Sequence, residues 1–293
     1  MSRPSREHSR PTIGVVTVSY RSAAVLEGFL ESVKVATAEN CVVVVADNAP
    51  VGEGSVRNLT ADYGAIYLPL PNNDGYGSGM NAAVAALPDG VEWVLVSNPD
   101  VVLSAGSIDA LVSVGEEDGA IAAVGPAVLN TDGSVYPSAR AVPSLRTGIG
   151  HALFVNFWVA NPWTVAYRNE SKFRPHRRDA GWLSGACVLV RRSAFSELGG
   201  FDPGYFMYFE DVDLGFRLVN AGYRNVYDPS IAITHAGAHA TATESGGMVK
   251  AHHASARRFL AKKYPGFLLM PVRVALAVGL FLRSAVVRRR LTH

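Results

Sequence analysis

Residues 13–20 read IGVVTVSY, and residues 41–48 read CVVVVADN. Each is a continuous apolar run, rich in β-branched residues, that ends on polar side chains: Ser19 and Tyr20 in one, Asp47 and Asn48 in the other. Such a run predicts a strand buried between two layers. Between the two, Val25, Leu26, Phe29, Leu30 and Val33 recur at helical spacing. The alternation continues downstream. AIYLPL (65–70) predicts a third strand, the Gly-rich NDGYGSGM (73–80) a turn, MNAAVAAL (80–87) a helix, and WVLVSNPDV (93–101) a fourth strand running into a turn. A further helix starts over residues 107–114. Strands alternating with helices predict an α/β fold with a mostly parallel sheet and helices on both faces. In such sheets ligands bind beyond the carboxyl ends of the strands. The polar residues there are Ser19, Tyr20, Asp47, Asn48, Asn72, Asn73, Asn98 and Asp100.

The second half is more mixed. Residues 122–129 (AAVGPAVL), 184–192 (SGACVLVRR) and 227–235 (YDPSIAITH) read as strands, and 209–222 (FEDVDLGFRLVNAG) as a helix with acids in its first turn. A segment rich in Pro, Arg and aromatics, 137–180, predicts a long and partly irregular excursion. The first eleven residues, MSRPSREHSRP, read as a disordered leader without the apolar centre of a signal peptide. Cys41 and Cys187 both lie in apolar runs and read as buried thiols, which fits a reducing cytoplasm.

Charge is unevenly spread over the 293 residues. Residues 1–244 hold 17 Lys/Arg against 25 Asp/Glu, a net of −8, whereas residues 245–293 hold ten Lys/Arg and no acid. An acidic body with a basic tail speaks against nucleic acid as a partner. The tail is apolar as well as basic, but beyond Arg273 its longest charge-free run is Val274–Leu282, well short of the roughly 20 residues of a membrane span. A basic amphipathic helix lying on an anionic membrane surface fits better, and an apolar helix packed on the body is the alternative.

Several side chains are suited to chemistry. Asp47, at a strand end, can accept a hydrogen bond from the imide N–H of uracil or thymine, or simply close an Asx turn. A Gly-rich loop opening a helix (73–81) lets a backbone approach phosphate. It is not the dinucleotide fingerprint, which belongs after the first strand, where this chain has Arg21-Ser22-Ala23. Asp100 is suited to Mg²⁺ or Mn²⁺ bridging a diphosphate, or to a Pro-Asp turn. Glu210 and Asp211 sit at a helix start among Phe201, Tyr205, Phe206, Tyr208 and Phe209. Carboxylates beside apolar rings can be tuned as general bases; a solvated acidic first turn is the plainer reading. His235, at a strand end, is a candidate third metal ligand or a structural histidine.

The order of these elements, strand–TVSY, strand–ADN, NDGYGSGMN, strand–NPDV, GWLSGA, FEDVDLGFR and a downstream His, resembles family 2 glycosyltransferases. The resemblance spans about Ile13 to His235. The strings DGSVYPSAR (132–140), NPWTVAYR (161–168), GWLSG (181–185), FDPGYFMYFEDVDLG (201–215) and AHH (251–253) narrow it to the rhamnosyltransferases of actinobacterial cell-wall synthesis.

The resemblance implies a GT-A fold, Rossmann-like, over residues 12–244. Residues 12–104 would form the nucleotide-sugar half and 105–244 the acceptor and catalytic half, flanked by the leader 1–11 and a membrane-associating helical tail 245–293. It implies that Thr17, Ser19, Asp47, Asn73, Gly75, Asn81 and Asn98 line the nucleotide sugar, and that Trp182, Ser184 and Gly185 face the acceptor. Asp100 and His235 would hold Mg²⁺ or Mn²⁺; Asn98 replaces the first carboxylate of the usual D-x-D pair, leaving one anionic ligand fewer. Asp211 would be the base, with Glu210 its close competitor. The implied reaction is inverting transfer of L-rhamnose from dTDP-L-rhamnose to the 3-hydroxyl of N-acetylglucosaminyl-diphospho-decaprenol at the inner face of the cell membrane. The same motifs also fit a UDP-hexose or UDP-galactofuranose donor or another polyprenyl-linked acceptor. A non-catalytic nucleotide-sugar-binding scaffold would not need Asp47, Asp100, Glu210, Asp211 and His235 together.

Overall fold

The computed structural model describes residues 12–50, 55–144, 175–236 and 245–266, with single positions at 162, 270, 271 and 274. The leader 1–11, most of the irregular segment and, in the basic tail, residues 267–269, 272, 273 and 275–293 lie outside the described residues.

Strands β1 (Thr12–Ser19), β2 (Cys41–Asp47), β3 (Ile66–Pro69) and β4 (Val91–Ser97) form a wholly parallel half-sheet in the order β3-β2-β1-β4. The other half is mixed. Strand β11 (Cys187–Arg191) lies antiparallel between β4 and β6 (Ile121–Leu129). Strand β12 (Arg224–His235) runs parallel to β6, and β5 (Val101–Val102) closes the edge antiparallel to β12. Of the short strands, β7 (Val135–Tyr136) pairs with β6 and β9 (Arg178–Ala180) with β12, while β8 (Ala139–Arg140) and β10 (Trp182–Leu183) pair with each other.

The apolar runs are continuous because alternate residues feed two cores. Val16, Val18, Val94 and Val96 face helices α3 (Tyr76–Ala85), α5 (Arg192–Glu197) and α6 (Glu210–Asn220). Ile13, Val15, Trp93 and Leu95 face α1 (Ala23–Ala36), α2 (Ser55–Asp62) and α4 (Ser107–Glu116). Helix α2 escaped the sequence reading because only Val56 and Thr60 of it are buried, too few to print a helical stripe.

Helix α3 starts within the stretch predicted as a turn. Gly77 and Gly79 are helical and buried, and an added Cβ would meet Phe201 at 3.0 Å or Val18 at 2.8 Å. Those glycines serve close packing rather than a bend. Cys187 is buried as predicted, but Cys41 is only half-buried at the start of its strand.

The division at residue 244 needs correction. Helix α7 (Ser245–Lys263) is not a detached tail. Phe259 is fully buried in a third core with Trp182, Tyr205 and Val212. Two of its cations pair with acids of the body: Arg258 and Lys262 bind Asp202, and Lys262 reaches the buried Asp213 at 2.7 Å. The helix packs on Trp182, Tyr205 and Val212 of the body, and only the residues beyond it remain candidates for a tail. Phe259→Ala should therefore lower unfolding stability by about 3–5 kcal/mol in urea titrations. A surface-riding helix would instead give a change within about 0.5 kcal/mol.

Candidate active site

Helix α6 opens at Glu210, and the chain enters it through two aromatic residues in left-handed backbone, Tyr208 (φ 65°) and Phe209 (φ 67°). Bulky L-residues avoid this region, so the surrounding contacts must hold it. Asn81 fixes one end of the loop with both amide atoms: Nδ2 donates to Phe201 O at 2.7 Å and Oδ1 accepts from Phe201 N at 2.9 Å. Tyr76 N–H donates to Phe206 O at 3.0 Å. Gly75, at φ 95°, lies so close to that carbonyl that any Cβ would collide with it. From the other side, Ser255 of α7 donates to Met207 O at 2.8 Å, and the His252 ring stands edge-on to Tyr208 and Phe209, 5.4 Å from each.

The turn delivers two carboxyl groups of different character. Asp211 Oδ2 accepts from Gly185 N–H at 3.0 Å and Oδ1 from Val212 N–H at 2.8 Å. Glu210 is buried, and its Oε2 has no partner. Burial, and secondarily the charge on Asp211, push Glu210 well above the usual carboxylate range. Burial also raises Asp211, opposed by the two N–H donors that favour its anion. Two backbone N–H donors thus favour the anion at Asp211, whereas no donor reaches the buried Oε2 of Glu210. Tyr76 completes the group: its hydroxyl donates to Gly185 O at 2.6 Å, and burial beside the two acids raises it well above an ordinary phenol. Tyr76 lies inside the Gly-rich string of the sequence, where no chemical role is expected of it. Its signal was an aromatic residue where the helix starts rather than in a turn.

A second cluster lies next to the first. Pairing of His235 with Val101 brings His235 Nε2 to 3.0 Å from Asp100 Oδ1 and 3.2 Å from the Asn98 amide. Asn98 N–H donates to Ala186 O, one residue beyond the Gly185 that holds Asp211. Asn98 therefore joins the Asp100–His235 corner.

A third cluster sits beyond β1 and β2. Asp47 accepts from Tyr67 Oη at 3.0 Å and Ala49 N–H at 3.0 Å, which leaves each oxygen room for another donor. Asn48 Nδ2 donates to Asn73 Oδ1 and Gly75 O, tying the strand end to the loop.

Some expected ligand contacts are spent inside the protein. Asn81 clamps Phe201, and the start of α3 is covered by Phe206 O, so neither Asn81 nor Gly75 offers an open phosphate cradle. Thr17 and Ser19 are fully buried, and Ser19 is bonded to Ser22. Trp182 is buried against Gly215, its Nε1 bound to Ala141 O, and Ser184 is buried and bonded to Ser138 O. Of the three predicted acceptor residues, Gly185 alone touches the acid pair, through Asp211.

Residues 11–257 match the profile of the family described as glycosyltransferase like family 2. The chain belongs to that family. The enzyme N-acetylglucosaminyl-diphospho-decaprenol L-rhamnosyltransferase of Mycobacterium tuberculosis is 44% identical over 280 residues, covering 92% of this chain and 91% of that one. Rhamnosyltransferase WbbL of Escherichia coli is 42% identical over 82 residues, 28% of this chain and 31% of its own. Among solved structures, the Pyrobaculum calidifontis mannosyltransferase PcManGT, in complex with GDP-Man and Mn²⁺, superposes with a TM-score of 0.58. It is 16% identical, and the match covers 94% of this chain and 72% of that one. The glycosyltransferase thus has the GT-A fold.

The Asp100–His235 corner fits a hard divalent cation. Asp100 contributes a carboxylate oxygen, His235 an imidazole nitrogen and Asn98 an amide whose oxygen and nitrogen can be interchanged, and these are the groups that would hold such a cation. Among the described residues no cluster of three His, Cys, Asp or Glu exists, so a ligand's oxygens would have to complete the shell.

The acid pair yields a test with two readouts. Asp211→Asn should lower kcat of this glycosyltransferase by about 10²–10⁴-fold while donor affinity persists. Unchanged kcat would clear Asp211 of the base role. For Glu210, a folded pKa above the ordinary 4.5 means that its neutral form adds stability, full below 4.5 and lost as pH rises through the raised value. Glu210→Gln stays neutral, so its stability relative to the wild type should grow from about pH 4 to about pH 8. Parallel denaturation profiles would contradict this.

Proposed function

We propose that the glycosyltransferase moves L-rhamnose from dTDP-L-rhamnose to the 3-hydroxyl of N-acetylglucosaminyl-diphospho-decaprenol. The observation that carries this reading is the 44% identity to the mycobacterial rhamnosyltransferase over 92% of this chain. The three clusters are consistent with it. Asp47 offers free acceptor capacity where a thymine imide N–H would arrive. Asp100, His235 and Asn98 would hold the cation, which when bound neutralises charge on the departing diphosphate.

Asp211 takes the proton of the acceptor 3-hydroxyl as that oxygen attacks the anomeric carbon opposite the diphosphate. The new C–O bond forms as the bond to the β-phosphate oxygen breaks. A β-linked donor gives an α-rhamnosyl product and dTDP. Gly185 N–H keeps the Asp211 oxygen aimed, and neutral Glu210 avoids placing a second charge beside it.

The acceptor lipid brings the enzyme to the membrane. No helix among the described residues is long and apolar enough to cross one. Arg273, Arg283 and Arg288–Arg290 follow α7 in an apolar, acid-free sequence suited to an anionic cytoplasmic surface, so peripheral attachment is part of the proposal.

Purified protein with Mg²⁺ or Mn²⁺, labelled dTDP-L-rhamnose and a short-chain GlcNAc-diphosphoprenol should yield a labelled disaccharide lipid. Transfer from UDP-sugars alone would overturn the donor assignment. Asp100→Ala should weaken metal-dependent dTDP binding by about tenfold or more. Identical dTDP affinities for wild type and variant across a metal titration would remove Asp100 from the cation site.

A further inference from the structure

Arg140 lies on β8 directly across from Trp182 of β10. Its Nε donates to Pro137 O at 2.8 Å, which fixes the plane of the guanidinium. The head group lies between two rings, 5.8 Å from the Tyr136 centroid and 5.9 Å from that of Trp182. Both Nη groups lack a hydrogen-bond partner among the described residues. The other anchored arginines behave differently. Arg177, Arg191, Arg217, Arg224 and Arg258 each give an Nη to a carbonyl or a carboxylate. A guanidinium held flat by its Nε, backed by aromatic faces and left with an open fork has the shape of a bidentate oxyanion site.

Its place in the fold says which anion. Gly181 N–H donates to Arg140 O and Ser184 N–H to Ser138 O, so the β8–β10 ladder runs straight into Gly185 and its contact with Asp211. Arg140 is near enough for its charge to favour the Asp211 anion, yet no ion pair joins them among the described residues. The cation corner is tied to the same segment through Ala186 O and Asn98. A sugar whose hydroxyl sits at Asp211 is thus next to a segment that pairs with Arg140 before Gly185 and carries the tie to the cation corner after it. In the proposed acceptor, one pyranose ring separates the reacting 3-hydroxyl from the diphosphate at the anomeric carbon.

We propose that Arg140 is a specificity-determining residue that binds the diphosphate of the lipid acceptor with its free guanidinium fork. This rests on the acceptor reading given under Proposed function. It assigns a role to the end of the DGSVYPSAR string, which the catalytic clusters leave unused.

The test compares wild type, Arg140→Gln and Arg140→Lys on two acceptors, GlcNAc-diphosphoprenol and an alkyl GlcNAc without diphosphate. Arg140→Gln should raise KM for the diphosphate acceptor by about tenfold or more, with partial recovery in Arg140→Lys. The donor KM should stay at the wild-type value, and the loss on alkyl GlcNAc should be several-fold smaller than the loss on the diphosphate acceptor. A raised donor KM would mean that Arg140 serves the donor diphosphate, and equal losses on both acceptors would mean a structural role; either overturns the proposal. A second arm does not need turnover. A short prenyl diphosphate is titrated into the dTDP-saturated protein, and Arg140→Gln should weaken its binding by a similar factor. Equal affinities would overturn the proposal even if the wild type transferred no rhamnose at all, an outcome that would separately sink the functional reading.

Discussion

The left-handed backbone of Tyr208 and Phe209 is the constraint on which the site depends. Such conformations cost about 1–3 kcal/mol each and persist only where the surroundings over-determine them. Here the surroundings come from three directions. Helix α3 contributes the Asn81 clamp on Phe201 and the contact of Gly75 and Tyr76 with Phe206 O. Helix α7 contributes Ser255 and His252. The turn between β10 and β11 contributes Gly185, whose N–H holds Asp211. The strain buys direction: without it α6 would start elsewhere, and Asp211 would not meet the Gly185 N–H.

The same turn of α6 sorts three acids into three roles by what surrounds them. Asp211 is half-buried and held by backbone donors. Glu210 is buried beside it with an unpartnered oxygen. Asp213 points the other way, fully buried, with Arg217 at 2.6 Å and Lys262 at 2.7 Å. The third acid is structural, and it spends charge of the C-terminal helix on the body of the protein. A basic segment can therefore be partly an internal brace, which charge counting along the chain does not reveal.

The parallel half of the sheet was legible because β1, β2 and β4 are buried on both faces, which leaves an unbroken apolar run. The Asp100–His235 corner and the Glu210–Asp211 pair were legible because polar residues at strand ends and helix starts collect at the ligand edge of such sheets. What misled was local composition read without partners. Glycines at 75, 77 and 79 looked like a phosphate loop, but their space is filled by Phe206, Phe201 and Val18. Asn81 looked like a ligand contact, but Phe201 takes both of its amide atoms. Helix α7 reads as a tail because Phe259 is its one large buried side chain in a basic stretch, and its pocket of Trp182, Tyr205 and Val212 is assembled from distant sequence.

The central claim is a single displacement with Asp211 as base and no enzyme-linked sugar. It is tested most directly by the anomeric configuration of the first product, read by NMR as it forms from a β-linked dTDP-L-rhamnose donor. The account predicts an α-rhamnosyl product from the first turnover. A β-rhamnosyl product would mean retention, by two displacements or by attack from the leaving-group face, and would contradict it.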